Sequence, residues 1–272
     1  MRVRIIGSGS SGNVLYIESG DTRVLVDVGL SARETARRLT EAGIDPSSID
    51  GIIVTHEHGD HARGVSVFAR SHDVPVYTTA ATREACQFGR FESKMRFAEV
   101  RSSESFQIGA IDFHPFTVPH DAREPLQLRC SDGASSLGIL TDLGHATEHV
   151  LAQLAACQAL LLECNHDADL LAGGAYPAFL KKRVGGKMGH LSNARAGEIA
   201  RALRHPGLAT VVARPPPSRP APSSPRGPRA VPGACRRGPG RLPSGRTLRR
   251  RRGCSRGRRR RDPPRTRRGR GP

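Results

Sequence analysis

Six consecutive residues constrain this chain more than any others: His56-Glu57-His58-Gly59-Asp60-His61, reached through Thr55 from the apolar run at 51–54. The run reads as a short buried strand, so the polar cluster sits at a strand's carboxyl end. On an extended backbone, side chains two residues apart point to the same side, which lets His56 and His58 bind one metal ion. Asp60 and His61 lie one step farther along and can reach a second. The plain alternative is a set of solvated surface histidines. Three imidazoles and an aspartate at the end of a core strand are, however, too costly to bury for packing alone.

The surrounding pattern predicts the frame. Apolar, β-branched runs at 3–6, 14–17 and 23–28 predict strands separated by Gly-Ser and Gly-Asp turns. Ser31 and Glu34 form a capping box for a helix over 32–42. Helices are predicted at 65–71 and 81–88 around a strand at 74–77, followed by strands at 106–108, 111–118, 126–129 and 136–141. A helix at 148–155, a strand at 159–163, a helix from 192 to 204 and a strand at 208–212 complete the pattern. Such interleaving predicts an α/β chain with two sheets faced by helices, an αββα sandwich incomplete at its C-terminus. The order of strands within each sheet is not fixed by it.

At Ala213 the composition changes. The 59 residues from Arg214 to Pro272 hold 21 Arg, 13 Pro, no Lys and a single acid, Asp262. The formal charge of +18 therefore belongs wholly to this stretch, and residues 1–213 are near neutral. Bulk charge suggests a nucleic-acid binder at first sight, but it says nothing about what the folded part acts on. The expected organisation is one folded domain over 1–213 and a disordered Arg/Pro-rich tail over 214–272, because no apolar period survives there to offset the entropy of ordering. An Arg/Pro/Gly/Ala mixture without lysine is what a GC-rich gene yields out of frame, a reading favoured over a natural basic arm that grips nucleic acid. No run of 18 or more apolar residues is present, so neither a transmembrane helix nor a membrane partner is predicted. The opening residues meet Gly7 too soon to form a signal peptide, and the expected location is the cytoplasm. Six cysteines without C-x-x-C spacing predict free thiols in a reducing compartment.

Further short motifs follow in order. They are Gly-Ser-Gly-Ser-Ser-Gly-Asn at 7–13, Val-Asp-Val-Gly-Leu-Ser at 26–31 and Val-Pro-His-Asp-Ala at 118–122. Then come Thr-Asp-Leu-Gly at 141–144, Glu-Cys-Asn-His-Asp at 163–167 and Gly-His-Leu-Ser-Asn at 189–193. With H-x-H-x-D-H, these make the chain resemble the metallo-β-lactamase superfamily, and within it the WalJ/YycJ branch, from residue 1 to about 213. The resemblance implies a metal-dependent phosphodiester hydrolase, and more finely a 5′→3′ exonuclease with DNA as its substrate. It implies two divalent cations, Zn or Mn, with His56, His58 and His120 on the first, Asp60 and His61 on the second, and Asp142 between them. Two such ions about 3.5–4 Å apart share a water, lower its pKa to about 7 and present hydroxide to phosphorus. Asp60 and His190 then take catalytic roles. Asp60 orients the hydroxide, and His190 donates to a phosphate oxygen or protonates the leaving oxygen. A His190 that merely ties down a loop is the alternative.

Asp27 is expected to pin loops beneath the metals. Ser10, Ser11 and Asn13 lie in a glycine-rich loop without the lysine of a P-loop, and either cradle a phosphate or make a tight turn. His166 either borders the site or belongs to a turn. Lys181, Lys182 and Arg183 form either a solvated helix end or a contact for the DNA backbone. In one respect the chain departs from the family. Members supply a further His from a C-terminal His-Leu-Ser segment, whereas no histidine follows His205 here and Arg214-Pro215-Pro216-Pro217 stands in its place. The second cation site is therefore expected to be weakened and activity impaired. Two other readings stay open: a small-molecule phosphodiesterase or thioester hydrolase of the same fold, and a non-catalytic basic protein that binds nucleic acid. Oligomeric state is not indicated.

Overall fold

The computed structural model describes residues 1–214, apart from the side chains of residues 90 and 91. One sheet runs β1 (Arg2–Gly7), β2 (Val14–Ser19), β3 (Thr22–Val26), β4 (Gly51–Ile53), β5 (Val76–Thr78) and β6 (Phe97–Glu99) in spatial as well as chain order. The other runs β7 (Phe106–Ile108), β8 (Ile111–Thr117), β9 (Leu126–Ser131), β10 (Ser136–Leu140), β11 (Ala159–Glu163) and β12 (Thr210–Arg214), again in order. Each sheet starts antiparallel and turns parallel, from β3 onward in the first and from β10 onward in the second.

The alternation along β2 shows why the layers form. Leu15 and Ile17 pack with Ile53 of the same sheet and with Phe113, Leu128 and Ile139 of the other. Val14 and Tyr16, on the opposite face, pack with Leu39, Val65 and Phe68 of the helices. Both faces are buried, so the strand reads as a continuous apolar run rather than a half-polar one. Helices α1 (Ala32–Glu41), α2 (Gly59–Ala62), α3 (Val65–His72) and α4 (Ala80–Cys86) accompany the first sheet in sequence. With the second come α5 (Glu148–Leu154), α6 (Ala168–Gly173), α7 (Ala178–Val184) and α8 (Asn193–Ala202). There Leu140, Leu160 and Leu162 pack with Val150, Leu154 and Ile199. The αββα sandwich is thus the fold, and Ser31 caps α1 as expected, accepting from the Glu34 amide at 3.3 Å.

The differences from the sequence pattern have physical causes. α6 and α7 contain no buried residue and therefore no apolar period to read. β6 is short and buries none of its residues. The last strand starts at Thr210 and continues through Arg214, the first residue of the expected tail. The remainder of that tail, 215–272, lies outside the described residues. Among the described residues no helix is long and apolar enough to cross a membrane.

Candidate metal centre

The loops that follow β3, β4, β8 and β10, with the last residue of β11, bring Asp27, the His56–His61 segment, His120, Asp142 and Glu163 together. The motif changes conformation midway. It is extended as far as His58 and then turns into α2, where the His61 and Ala62 amides donate to the His58 carbonyl at 2.8 and 2.9 Å. Extension puts His56 and His58 on one side, and the helical turn sends Asp60 and His61 back towards Asp142.

The first cluster is His56 Nε2, His58 Nδ1 and His120 Nε2. His58 Nδ1 lies 3.0 Å from His56 Nε2 and 3.3 Å from His120 Nε2. What these nitrogens carry follows from the opposite edge of each ring. His120 Nδ1 donates to the Gly189 carbonyl at 3.1 Å, and His58 Nε2 donates to the Asp121 carbonyl at 3.2 Å. Thr55 Oγ1 gives its proton to Asp27, 2.9 Å from Oδ2, and accepts from His56 Nδ1 at 3.0 Å. Each of the three inward nitrogens is thereby left with a lone pair. Burial lowers the pKa of His56 and of His120, so both stay neutral and available.

A second group comprises His61, Asp142 and Asp60. His61 Nδ1 donates to Asp27 Oδ2 at 2.7 Å, so its Nε2 faces Asp142 Oδ2 at 3.1 Å as an acceptor facing an acceptor. Asp142 Oδ2 is buried without a hydrogen-bond donor. Asp60 Oδ2 lies 3.7 Å from His61 Nε2. An orphaned buried carboxylate oxygen opposite an imidazole lone pair is a setting that a divalent cation fits. Without one, a proton fills the gap. Burial disfavours a charged His61, yet Asp142 and Asp27 raise its pKa well above the usual imidazole value. Asp142 is held well below the carboxylate range, the His61 charge outweighing its burial.

Asp27 serves both groups. It adopts φ 62°, a left-handed conformation that costs a non-glycine residue energy, and so aims its carboxylate at Thr55 and His61 together. Beside it, Gly29 permits a close backbone approach: a Cβ there would lie 1.6 Å from the Asp60 carbonyl oxygen. Through that contact the 27–30 loop grips the Asp60–His61 turn, with Val28 N donating to His61 O at 2.9 Å, while Asn13 N donates to Asp60 O at 2.7 Å.

His190 stands on the far side of Asp142. Its Nδ1 is 2.9 Å from Glu163 Oε1 and 3.3 Å from Asp142 Oδ1. Burial opposes a charged ring, but hydrogen bonds to Asp142 and Glu163 win and push the pKa up to about 10. Burial and the nearby Asp142 charge in turn raise Glu163. His190, His58, Asp60, Asp142, Asp121 and Arg183 line one cleft of about 380 Å³. Arg183 Nε donates to Asp121 Oδ2 at 2.6 Å, which joins the basic end of α7 to the loop that carries His120.

All six residues expected to ligate metal are brought together, as are His190, Asp27 and Asn13. Asn13 Nδ2 lies 2.8 Å from His61 Nε2 and 3.2 Å from Asp60 Oδ2. Ser10 and Ser11 are exposed and do not line the cleft. His166 makes a backbone bridge to Ser192, the neighbouring Asp167 caps α6, and neither lines the cleft. Glu163 and Asp121 stand inside motifs legible in the sequence but were given no role there, and Arg214 was named only as the start of the tail. Glu163 carried a usable signal, a carboxylate ending an apolar run in the way that Asp142 follows β10. Arg214 carried none, being one of 21 arginines at the composition break.

Residues 22–212 match the family model described as the beta-lactamase superfamily domain. The chain belongs to that superfamily. It is 34% identical over 192 residues to exodeoxyribonuclease YycJ of Bacillus anthracis, covering 70% of this chain and 72% of that protein. Against exodeoxyribonuclease WalJ of Streptococcus pneumoniae it is 35% identical over 199 residues, covering 71% and 73%. Among solved structures, the metallo-beta-lactamase fold protein YhfI from Bacillus subtilis matches with a TM-score of 0.62 at 19% identity, covering 79% of this chain and 86% of that one. The chain is a hydrolase of the metallo-β-lactamase fold, and its His/Asp clusters suit divalent metal binding.

Proposed function

We propose that this chain hydrolyses phosphodiester bonds in nucleic acid, and that its substrate is DNA digested from a 5′ end. His56, His58 and His120 would hold one divalent cation, and Asp142 with His61 and Asp60 a second; the all-N/O donor set suits Zn or Mn. Cations bound there supply Lewis-acid charge beside the phosphate and lower the pKa of a water to about 7. The remaining work falls to side chains. His190, oriented through Nδ1 by Glu163 and with its pKa raised by its hydrogen bonds to Asp142 and Glu163, can hand its Nε2 proton to the leaving oxygen. Asp60 lines the same cleft and is placed to accept a hydrogen bond from the attacking water. Arg183 brings positive charge to the rim on which a phosphate would lie.

The observation that carries this reading is the convergence of three imidazole lone pairs, those of His56, His58 and His120, beside a cleft lined by His58, Asp60, Asp142 and His190. Relatives named as exodeoxyribonucleases support nucleic acid as the substrate class. The test compares 3′-labelled single-stranded DNA with bis(4-nitrophenyl) phosphate in millimolar Mn²⁺. The expected result is slow shortening of the DNA from its 5′ end, abolished in His120→Ala and in Asp142→Asn. Turnover of the small ester alone would reassign the substrate. Equal DNA turnover by His120→Ala would remove these histidines from the chemistry.

A further inference from the structure

We propose that the side-chain amide of Asn13, clamped by Arg214, caps the cation-facing atoms of His61 and Asp60, so that the chain takes one divalent cation on His56, His58 and His120 and resists a second. The inference rests on the metal reading above and concerns which of the two positions fills.

It begins with the orientation of the amide. Asn13 is buried, and its Oδ1 accepts from the Gly9 amide at 2.7 Å and from Arg214 Nη2. Two donors on one atom identify it as the oxygen, so the group cannot be turned over without setting donor against donor. Nδ2 is then committed to the other side, 2.8 Å from His61 Nε2 and 3.2 Å from Asp60 Oδ2. In the neutral ring the Nδ1 proton goes to Asp27 and Nε2 accepts from the amide; in the charged ring Nε2 gives its proton to Asp142 Oδ2 and the amide holds Asp60 Oδ2. In either state the two atoms that a second cation would need are already engaged, by the amide N–H groups or by a proton and the amide. An amide nitrogen has no lone pair to offer that cation in return.

Arg214 makes the clamp rigid. Its backbone is held where β12 pairs with β11, opposite Glu163, and its carbonyl accepts from Cys164 N at 3.0 Å. Its Nε donates to Ser8 Oγ at 2.8 Å, so the guanidinium is fixed at two points and keeps its positive charge beside the amide. A cation entering next to His61 must displace both amide contacts and approach that charge. The first cluster presents no such obstacle. Its three nitrogens face one another, and a cation there breaks no internal hydrogen bond.

Zn²⁺ titration of the full 272-residue chain by calorimetry, with metal content measured after desalting, tests the idea. Wild type should retain one equivalent, with any second bound weakly. Arg214→Ala frees the amide, and Asn13→Asp replaces the capping N–H by a carboxylate oxygen. Each should strengthen the second equivalent about tenfold or more and leave the first unchanged. Visible spectra of the Co²⁺-loaded forms should show a second cobalt environment in the variants alone. Two equally tight equivalents on wild type would overturn the clamp while leaving the metal reading intact. No bound equivalent would overturn the metal reading itself. Arg214 lies at a sheet edge, so its variant gives an answer even where the buried Asn13 substitution impairs folding. An unchanged second affinity in Arg214→Ala would sink the proposal.

Discussion

A buried imidazole holds a cation well only when its other nitrogen is held by something else, and here Asp27 does this for two histidines at once. It accepts directly from His61 and, through Thr55 Oγ1, fixes His56. Asp27→Asn keeps the shape and removes the charge, and an amide at Oδ2 would point a donor at the His61 Nδ1 proton. The expected loss of Zn²⁺ affinity is about 10–100-fold, read by competition with a chromogenic chelator. Thr55→Val should weaken the His56 cluster alone. His190 provides a pH signature in the metal-free protein. Its hydrogen bonds to Asp142 and Glu163 push its pKa in the folded chain up to about 10, above the ordinary value of a free imidazole. A raised folded value means that the charged ring adds stability fully below the unfolded pKa of about 6.5, and that this contribution fades as pH rises through the folded value. The melting temperatures of chelator-treated wild type and His190→Gln should therefore lie apart at pH 6 and draw together towards pH 10. A constant gap would mean that His190 is not charged against Glu163 and Asp142.

At the scale of elements, the site depends on the 27–30 loop gripping the turn that carries Asp60. Gly29→Ala would put a methyl group 1.6 Å from the Asp60 carbonyl oxygen, which is backbone and cannot step aside. The expected destabilisation is about 3 kcal/mol or more, at the upper end for overpacking, and metal affinity should fall with it. Leu39→Ala is the contrast. It empties a fully buried position under α1 and should cost about 2–5 kcal/mol in denaturant unfolding while leaving Zn²⁺ affinity intact. These two elements also show what could be read in advance. β2 and β3 announce themselves because both their faces are buried and their apolar residues run consecutively, over 14–17 and 24–26. α6 and α7 bury nothing, so the segment that brings Arg183 to the cleft has no periodicity to detect. His56 to His61 were legible because four polar groups crowd one strand end. The role of Glu163 was not fixed by its motif, because a single carboxylate after a leucine run is equally at home in a turn.

On the scale of the whole molecule, the centre draws on side chains as far apart in sequence as Asn13 and Arg214, and spacing along the chain cannot report such convergence. Motif order pointed to His120 and Asp142; only the sandwich brings the loops after β4, β8 and β10 together, β8 and β10 running the same way because the antiparallel β9 lies between them. Charge is distributed in the opposite way. Residues 1–213 are close to neutral, and the arginines crowd the end of the chain. Electrostatic attraction to DNA and chemistry at the cleft are thus expected to separate. A chain ending at residue 216 should keep its melting temperature and its first Zn²⁺ equivalent, since the ligands and the three apolar clusters all precede that point. Its retention on single-stranded DNA should lose most of its salt dependence, because each phosphate no longer neutralised removes about 0.7 from the slope of log K against log salt. Anisotropy titrations between 50 and 200 mM salt, the interval over which such contacts change affinity by about 10³-fold or more for six to ten phosphates, measure this directly. Equal slopes for the full and shortened chains would shift the phosphate contacts onto Lys181, Lys182 and Arg183. The cleft itself would then govern where the strand lies, and the arginine-rich end would contribute nothing to substrate capture.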